Sequence, residues 1–134
     1  MAGWTEQKSR ELHVCLDAVP ESVPEARLRV RSWCEDAHVD GEMRSDLLLA
    51  VSEAAANVVL HAYPDGGAGT FSLDVRMDAD ILVLSVCDEG VGTAGSMPSD
   101  GCGLGLEIIA RMFPEFTLAE AEPGTRVTIR ASAA

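Results

Sequence analysis

The sequence predicts an α+β fold. It is a two-layer α/β sandwich, with a mixed, mostly antiparallel sheet covered on one face by three helices. Three observations carry that expectation. Strand-like segments come in adjacent pairs joined by short turns, as hairpins do. Segments of helical periodicity interrupt them in the order β-α-α-β-β-α-β-β. The chain has 134 residues, 47% of them apolar, which suits one core and a single domain over 1–134. No internal repeat and no linker-like stretch divides it.

The first strand is read at residues 10–18, where Leu12, Val14 and Leu16 alternate with polar residues. Ser22-Val23-Pro24-Glu25 then looks like a helix start, with Ser22 as N-cap and Glu25 closing a capping box. That helix runs to about Ala37, with Ala26, Val30, Trp33 and Ala37 on one stripe. Asp40 caps a longer helix from about Glu42 to His61, whose apolar face holds Leu47, Ala50, Val51, Ala54, Val58 and Leu60 or His61. Pro64 and Gly66-Gly67 end it.

Thr70–Met77 alternates strictly and Ile81–Cys87 is apolar almost throughout. They read as a hairpin turning at Asp78-Ala79-Asp80, with the second strand central in the sheet. A loop rich in Gly, Ser, Pro and Asp follows from Gly90 to Gly103. Leu104 to about Met112 is a short helix. A last hairpin pairs Phe116–Ala121 with Thr125–Ala131 across Glu122-Pro123-Gly124.

There are 22 acids against 10 basic residues, a net charge of −12. Such a surface repels phosphate backbones and anionic lipids, so neither nucleic acid nor a membrane surface is expected as a partner. No apolar run reaches the roughly 18 residues of a membrane span. Met1 to Arg10 is polar without a signal-like apolar core, so a cytoplasmic location is expected. Cys15, Cys34, Cys87 and Cys102 form no Cys-x-x-Cys pair, so free buried thiols are expected rather than a zinc knuckle. The single lysine, Lys8, precedes the first strand. A Walker loop needs a lysine after its glycines and an ordinary protein kinase needs one on a strand, so both are excluded.

Chemistry concentrates in three stretches. Glu53 and Asn57 are four apart on the long helix, so they share a face about 6 Å apart along the axis. Ala54, Ala55 and Ala56 between them leave room for close approach. An amide oxygen is a hard, neutral ligand suited to Mg²⁺, and a carboxylate one turn earlier is placed to accept a proton from a hydroxyl. Taken alone, the pair reads equally as a solvated helix face. Asp88 ends the apolar strand, before Gly90 and Gly92. It could accept a hydrogen bond from an adenine amine, with the glycines letting a flat ring lie against the chain; alone it is an ordinary Asp-Gly turn. Gly101, Gly103 and Gly105 stand before Leu106-Glu107-Ile108-Ile109. Their amides and a helix N-terminus make an anion site, although alone they are a flexible loop. The G-x-G-x-G spacing after a loop does not fit a Rossmann turn. All three stretches in this order within about 50 residues favour a nucleotide site over chance.

These residues resemble the Bergerat ATP fold shared by gyrase, Hsp90, histidine kinases and MutL. Glu53-Ala54-Ala55-Ala56-Asn57 looks like its N box, Asp88-Glu89-Gly90-Val91-Gly92 like its first G box, and Gly101–Gly105 like its second. Gly124-Thr125 resembles the threonine-bearing strand that closes the adenine pocket. Val51-Ser52-Glu53-Ala54 through His61-Ala62-Tyr63 is most similar to bacterial anti-sigma-factor serine/threonine kinases, and the resemblance covers roughly 10–131. It implies ATP and Mg²⁺ as ligands, with Asn57 on the metal and Glu53 as general base. It places Asp88 and Thr125 at the adenine, and Gly90, Gly92, Gly101, Gly103 and Gly105 around the pocket and lid. His61 falls where the family keeps a histidine near the phosphates, and reads equally as a helix-end residue. Arg27 matches an arginine used for partner contact.

The resemblance also implies the partners. They are a STAS-type anti-anti-sigma protein as phosphoryl acceptor, a sigma factor as the alternate partner, and a homodimer for which strand 10–18 offers an edge. The chain departs from the family in its lid, where only the eight residues Thr93 to Asp100 separate the two glycine boxes. No basic residue lies between Arg76 and Arg111. Those departures motivate an alternative, a non-catalytic module that binds a partner in its nucleotide state. A histidine-kinase ATPase domain would require a separate chain carrying the phosphoacceptor histidine.

Overall fold

The computed structural model describes residues 11–63, 69–90, 103–120 and 124–132, apart from the side chains of 103–105 and 120. The elements are β1 (Glu11–Asp17), α1 (Ser22–Asp36), α2 (Gly41–His61), β2 (Thr70–Asp78), β3 (Ile81–Asp88), α3 (Gly103–Met112), β4 (Glu115–Glu120) and β5 (Thr125–Ser132). The expected order is therefore observed. The sheet runs β1-β2-β3-β5-β4. Every pairing among the described strands is antiparallel, so the sheet is not mixed. The expected tail with Lys8, the turn at Pro64 and Gly66-Gly67, the lid from Thr93 to Asp100, Cys102 and Glu122-Pro123 lie outside the described residues.

The core forms where the alternating face of the sheet meets the helices. Phe71, Leu73 and Val75 of β2, Leu82, Leu84 and Val86 of β3, and Ile129 of β5 point inward and are buried. They meet Leu47, Ala50, Val51, Ala54, Ala55 and Val58 of α2 and Ala26, Val30 and Trp33 of α1. Burying one such Leu, Val or Phe is worth about 1.5–3 kcal/mol, so this layer dominates stability. β3 sits in the middle of the sheet, and Val83 and Ser85 on its other face are buried too. That explains why its sequence is apolar rather than alternating.

The other sheet face is polar. His13 pairs with Asp74 across β1 and β2, Arg130 with Glu115 across β5 and β4 (3.6 Å), and Ser85 with Thr128 (3.3 Å). Cys15 lies on this face and is exposed, Cys87 is half-buried and Cys34 is buried. The expectation of uniformly buried thiols therefore fails at Cys15, because odd positions of β1 point away from the core. Burial pushes the Cys34 thiol up to about 11, which leaves it inert.

The helix ends differ from expectation in one respect. Ser22 is the first helical residue of α1 rather than its cap: Glu21 takes the N-cap position and no side-chain capping bond forms. Ser22 is instead buried, so its hydroxyl is taken out of the capping position. Asp40 does precede α2 as N-cap, also without a side-chain bond. Leu60 is exposed and not part of the apolar face. At the other end of α1, the Val39 amide bonds the Cys34 carbonyl (2.8 Å) and the His38 amide the Glu35 carbonyl (3.4 Å). His38 is held at φ 61 and Val39 is buried. This is a Schellman cap with a non-glycine residue in the left-handed position, a strained choice. His38→Gly is expected to stabilise the protein by about 1 kcal/mol, raising Tm by roughly 3–5 °C in a calorimetric scan.

Candidate nucleotide site

Three backbone segments converge at the end of β3. Asp88 is the last residue of that strand and pairs in register with Thr125, the first of β5. Both are buried, at 5% and 6% exposure. The inward face of β3 carries Leu82, Leu84 and Val86, so alternation turns the Asp88 carboxylate toward the helix layer as well. The Gly90 amide donates to Asp88 Oδ1 (2.8 Å). Among the described residues Asp88 forms no ion pair. Burial raises its pKa above the ordinary carboxylate value, and main-chain bonds from Gly90 and Thr125 partly offset this.

Gly90 and Gly124 owe their identity to close approach of main chains. A Cβ at Gly90 would overlap the carbonyl of Ala62, which is the residue that ends α2. Gly124 has φ +102, and a Cβ there would overlap the Asp88 carbonyl. Gly90 thus serves the contact between loop and helix end, a reason separate from the room for a flat ring expected of it. Tyr63 completes the junction. Its hydroxyl donates to the Thr70 carbonyl (2.6 Å) and accepts from the Glu89 amide (3.1 Å). A Cβ at Gly69 would enter the Tyr63 ring, so the ring lies flat on that backbone. The Tyr63–Gly69 contact was not foreseen. Its signal was present, since Tyr63 is the only tyrosine and Gly69 lies just before β2.

Asn57 and Glu53 lie on α2, both half-buried. Helix rise places Asn57 about 7.5 Å and Glu53 about 13.5 Å along the axis from Ala62. Ala62, Asn57 and Glu53 are thus spread along the axis of α2, starting from the end that Gly90 touches. Ala54 and Ala55 are buried in the core, so they open no room beside Asn57; only Ala56 is half-exposed. His61 is half-buried in the last turn of α2. Gly103 opens α3 and Gly105 falls within its first turn instead of before the helix. Gly92 and Gly101 lie outside the described residues. Arg27 sits apart, exposed on α1, lining a groove of about 340 Å³ with Pro24, Leu28, Arg31 and Leu48. No group of three or more His, Cys, Asp or Glu gathers as a metal cluster among the described residues, and no described helix is long and apolar enough to cross a membrane.

Residues 16–131 match the family described as Histidine kinase-like ATPase domain, and the chain belongs to that family. Within it, the chain is similar to bacterial anti-sigma factors. It is 26% identical over 132 residues to the anti-sigma F factor of Geobacillus thermodenitrificans, covering 90% of each chain. With that of Bacillus velezensis it is 23% identical over 131 residues, covering 90% of this chain and 89% of the relative. The match to the Bacillus licheniformis protein is 27% over 82 residues, and spans 61% of this chain but only 56% of the relative. Among solved structures, the RsbU and RsbW domains of a Mycobacterium tuberculosis protein superpose with a TM-score of 0.69 at 22% identity, covering 91% of this chain and 32% of that one. That likeness confirms the fold.

A buried carboxylate with a raised pKa weakens the empty protein where it is ionised. Its stabilising contribution is full below the unfolded-state pKa and is lost as pH rises through the folded one. Asp88→Asn keeps an oxygen for the Gly90 amide and removes the charge. The variant is expected to melt higher than wild type at pH 7, and the gap should close as pH falls toward the ordinary carboxylate range. Melting curves across that range check it.

Proposed function

We propose that this chain binds Mg-ATP and transfers the γ-phosphoryl group to a hydroxyl of a STAS-type anti-anti-sigma protein, and that it alternately binds and blocks a sigma factor. The carrying observation is the buried Asp88 carboxylate, with no ion pair among the described residues and held by the Gly90 amide beside the end of α2. The main-chain bonds from Gly90 and Thr125 only partly offset its burial, and the exocyclic amine of adenine supplies a further donor. Thr125, its cross-strand neighbour, supports the same contact. Gly90 and Gly92 shape the base end, and Gly101, Gly103 and Gly105 with the first amides of α3 meet the phosphates.

The donor set fits a metal carried by the nucleotide, not one caged by protein. Asn57 offers one neutral oxygen and no acidic cluster accompanies it among the described residues. That suits Mg²⁺, which keeps waters and takes phosphate oxygens. When bound, the metal would neutralise charge on the transferring group, with no lysine in the sequence after Lys8 to share that task. Glu53, further along α2, accepts the proton of the substrate hydroxyl as its oxygen attacks the γ-phosphorus and ADP departs. Arg27 on α1 contacts the protein partner. The names of the anti-sigma F factor relatives support the partner class.

Incubation with radiolabelled ATP, Mg²⁺ and the host's purified STAS-domain anti-anti-sigma protein tests the reading. Label is expected on the partner. Glu53→Gln should lower its rate of appearance by about 10²–10⁴-fold while calorimetric ATP binding persists. Asp88→Asn should weaken ATP binding by roughly 10–100-fold. Partner binding without label favours the non-catalytic module, to which the lack of a basic residue between Arg76 and Arg111 points. Absence of any ATP-binding heat rejects both.

A further inference from the structure

The β2–β3 ladder ends one pair sooner than its geometry allows. Its last register is Phe71 opposite Asp88, so Thr70 and Glu89 stand next in line. The Ala18 amide bonds the Gly69 carbonyl (2.9 Å), which turns the main chain of Gly69 toward β1. Main-chain groups alternate between the two sides of a strand, so those of Thr70 turn toward β3. Thr70 and Glu89 are therefore set to exchange ladder bonds, yet no direct bond joins them among the described residues. The Tyr63 hydroxyl occupies the gap. It donates to the Thr70 carbonyl (2.6 Å) and accepts from the Glu89 amide (3.1 Å). One side-chain oxygen is spliced in where an amide-to-carbonyl bond belongs.

That oxygen decides where the chain goes after Asp88. Two hydrogen bonds in series hold Glu89 farther from Thr70 than one ladder bond of about 2.9 Å would. The chain thus leaves the sheet at Glu89, and Gly90 reaches the Ala62 carbonyl instead of running on beside β2. The same bend brings the Gly90 amide back to Asp88 Oδ1 (2.8 Å), a turn closed by the aspartate side chain. An extended strand would hold the amide two residues on well away from that carboxylate. The phenol itself has a fixed seat, because its ring lies on the Gly69 backbone where a Cβ would enter it.

Resting on the nucleotide reading above, we propose that Tyr63 is a positioning residue for base recognition: its hydroxyl holds the exit of β3 open and so fixes the direction in which Asp88 presents its carboxylate to the adenine amine. Tyr63 acts through Asp88 and not by touching the nucleotide. Without the hydroxyl, Thr70 and Glu89 close their ladder bond, Gly90 leaves the Ala62 carbonyl, and the carboxylate loses the amide that orients it. Binding then keeps its phosphate part and loses its preference for a 6-amino purine.

Calorimetric titration of the whole chain with Mg-ATP and with Mg-ITP, which carries a 6-oxo group in place of the amine, tests this. Wild type should bind ATP at least about tenfold tighter than ITP. Tyr63→Phe keeps the ring on Gly69 and should weaken ATP about tenfold while leaving ITP within about twofold. In an Asp88→Asn background the same substitution should weaken ATP no further, so the two penalties are not additive. Gly69→Ala drives the ring off that backbone and should reproduce Tyr63→Phe. It serves as the second variant if the first does not fold, which circular dichroism melts report. Equal weakening of ATP and ITP, full additivity with Asp88→Asn, or unchanged ATP binding in Tyr63→Phe overturns the positioning role and leaves the nucleotide reading intact. If wild type binds ATP and ITP alike, or neither, the assignment of Asp88 to the adenine amine fails first and takes that of Tyr63 with it.

Discussion

The fold depends on main chains meeting without side chains between them at the end of β3. Gly90 presses against the carbonyl of Ala62, the residue that caps α2, and Gly124 against the carbonyl of Asp88. This contact joins the two layers where the apolar core gives out. The core itself fixes only that α2 lies across β2, β3 and β5, because apolar burial is non-directional. Backbone contact at Gly90 and Gly124, with the Tyr63 clip, sets where the end of α2 stands relative to the Asp88 carboxylate. A polar site thereby acquires fixed geometry from groups that carry no net charge.

Much of the architecture was legible because period and burial coincide. Residues 70–77 alternate and become β2, with Phe71, Leu73 and Val75 inward. The unbroken apolar run from Ile81 marks the central strand, because β3 is flanked by β2 and β5 and its side chains are buried even on the face away from the helices, at Val83 and Ser85. Helix termini were less legible. Ser22 and Glu25 have the letters of a capping box, but Pro20 and Glu21 already form a turn that feeds α1, so the helix begins one residue early and takes the serine in. His38 gave no warning of a left-handed cap, since glycine is the usual signal there. Cys15 was misplaced because its neighbours are apolar while its own parity on β1 points outward.

The site shows the same division. Asp88, Thr125 and Gly90 were readable because each stands at an element boundary where a turn residue or a buried acid is unusual. The alanines between Glu53 and Asn57 were misread as open room. Small residues on a helix serve close packing as readily as ligand access, and only tertiary contacts distinguish the two. The contact between Tyr63 and Gly69 was missed for another reason, although a lone tyrosine and a glycine before β2 both stand in the sequence. Their relation is a ring laid on a backbone across the α2–β2 connection, and no periodicity encodes it.

One helix therefore supports three surfaces, and its composition follows from that. The face with Leu47, Val51, Ala54 and Val58 is apolar throughout and buried. The flank with Asn57 and His61 is polar and half-buried, and in the function proposed above it is the side that meets the phosphates. The solvent side, with Leu49 and Leu60, is more apolar than solvation alone would select. On the proposed reading, Glu53 stands at the border of the last two faces. That is where a proton acceptor belongs when the nucleotide arrives from one side and the protein hydroxyl from the other. A base deeper in the helix layer would reach the nucleotide but no protein; one further out would meet the protein hydroxyl but stand away from the nucleotide.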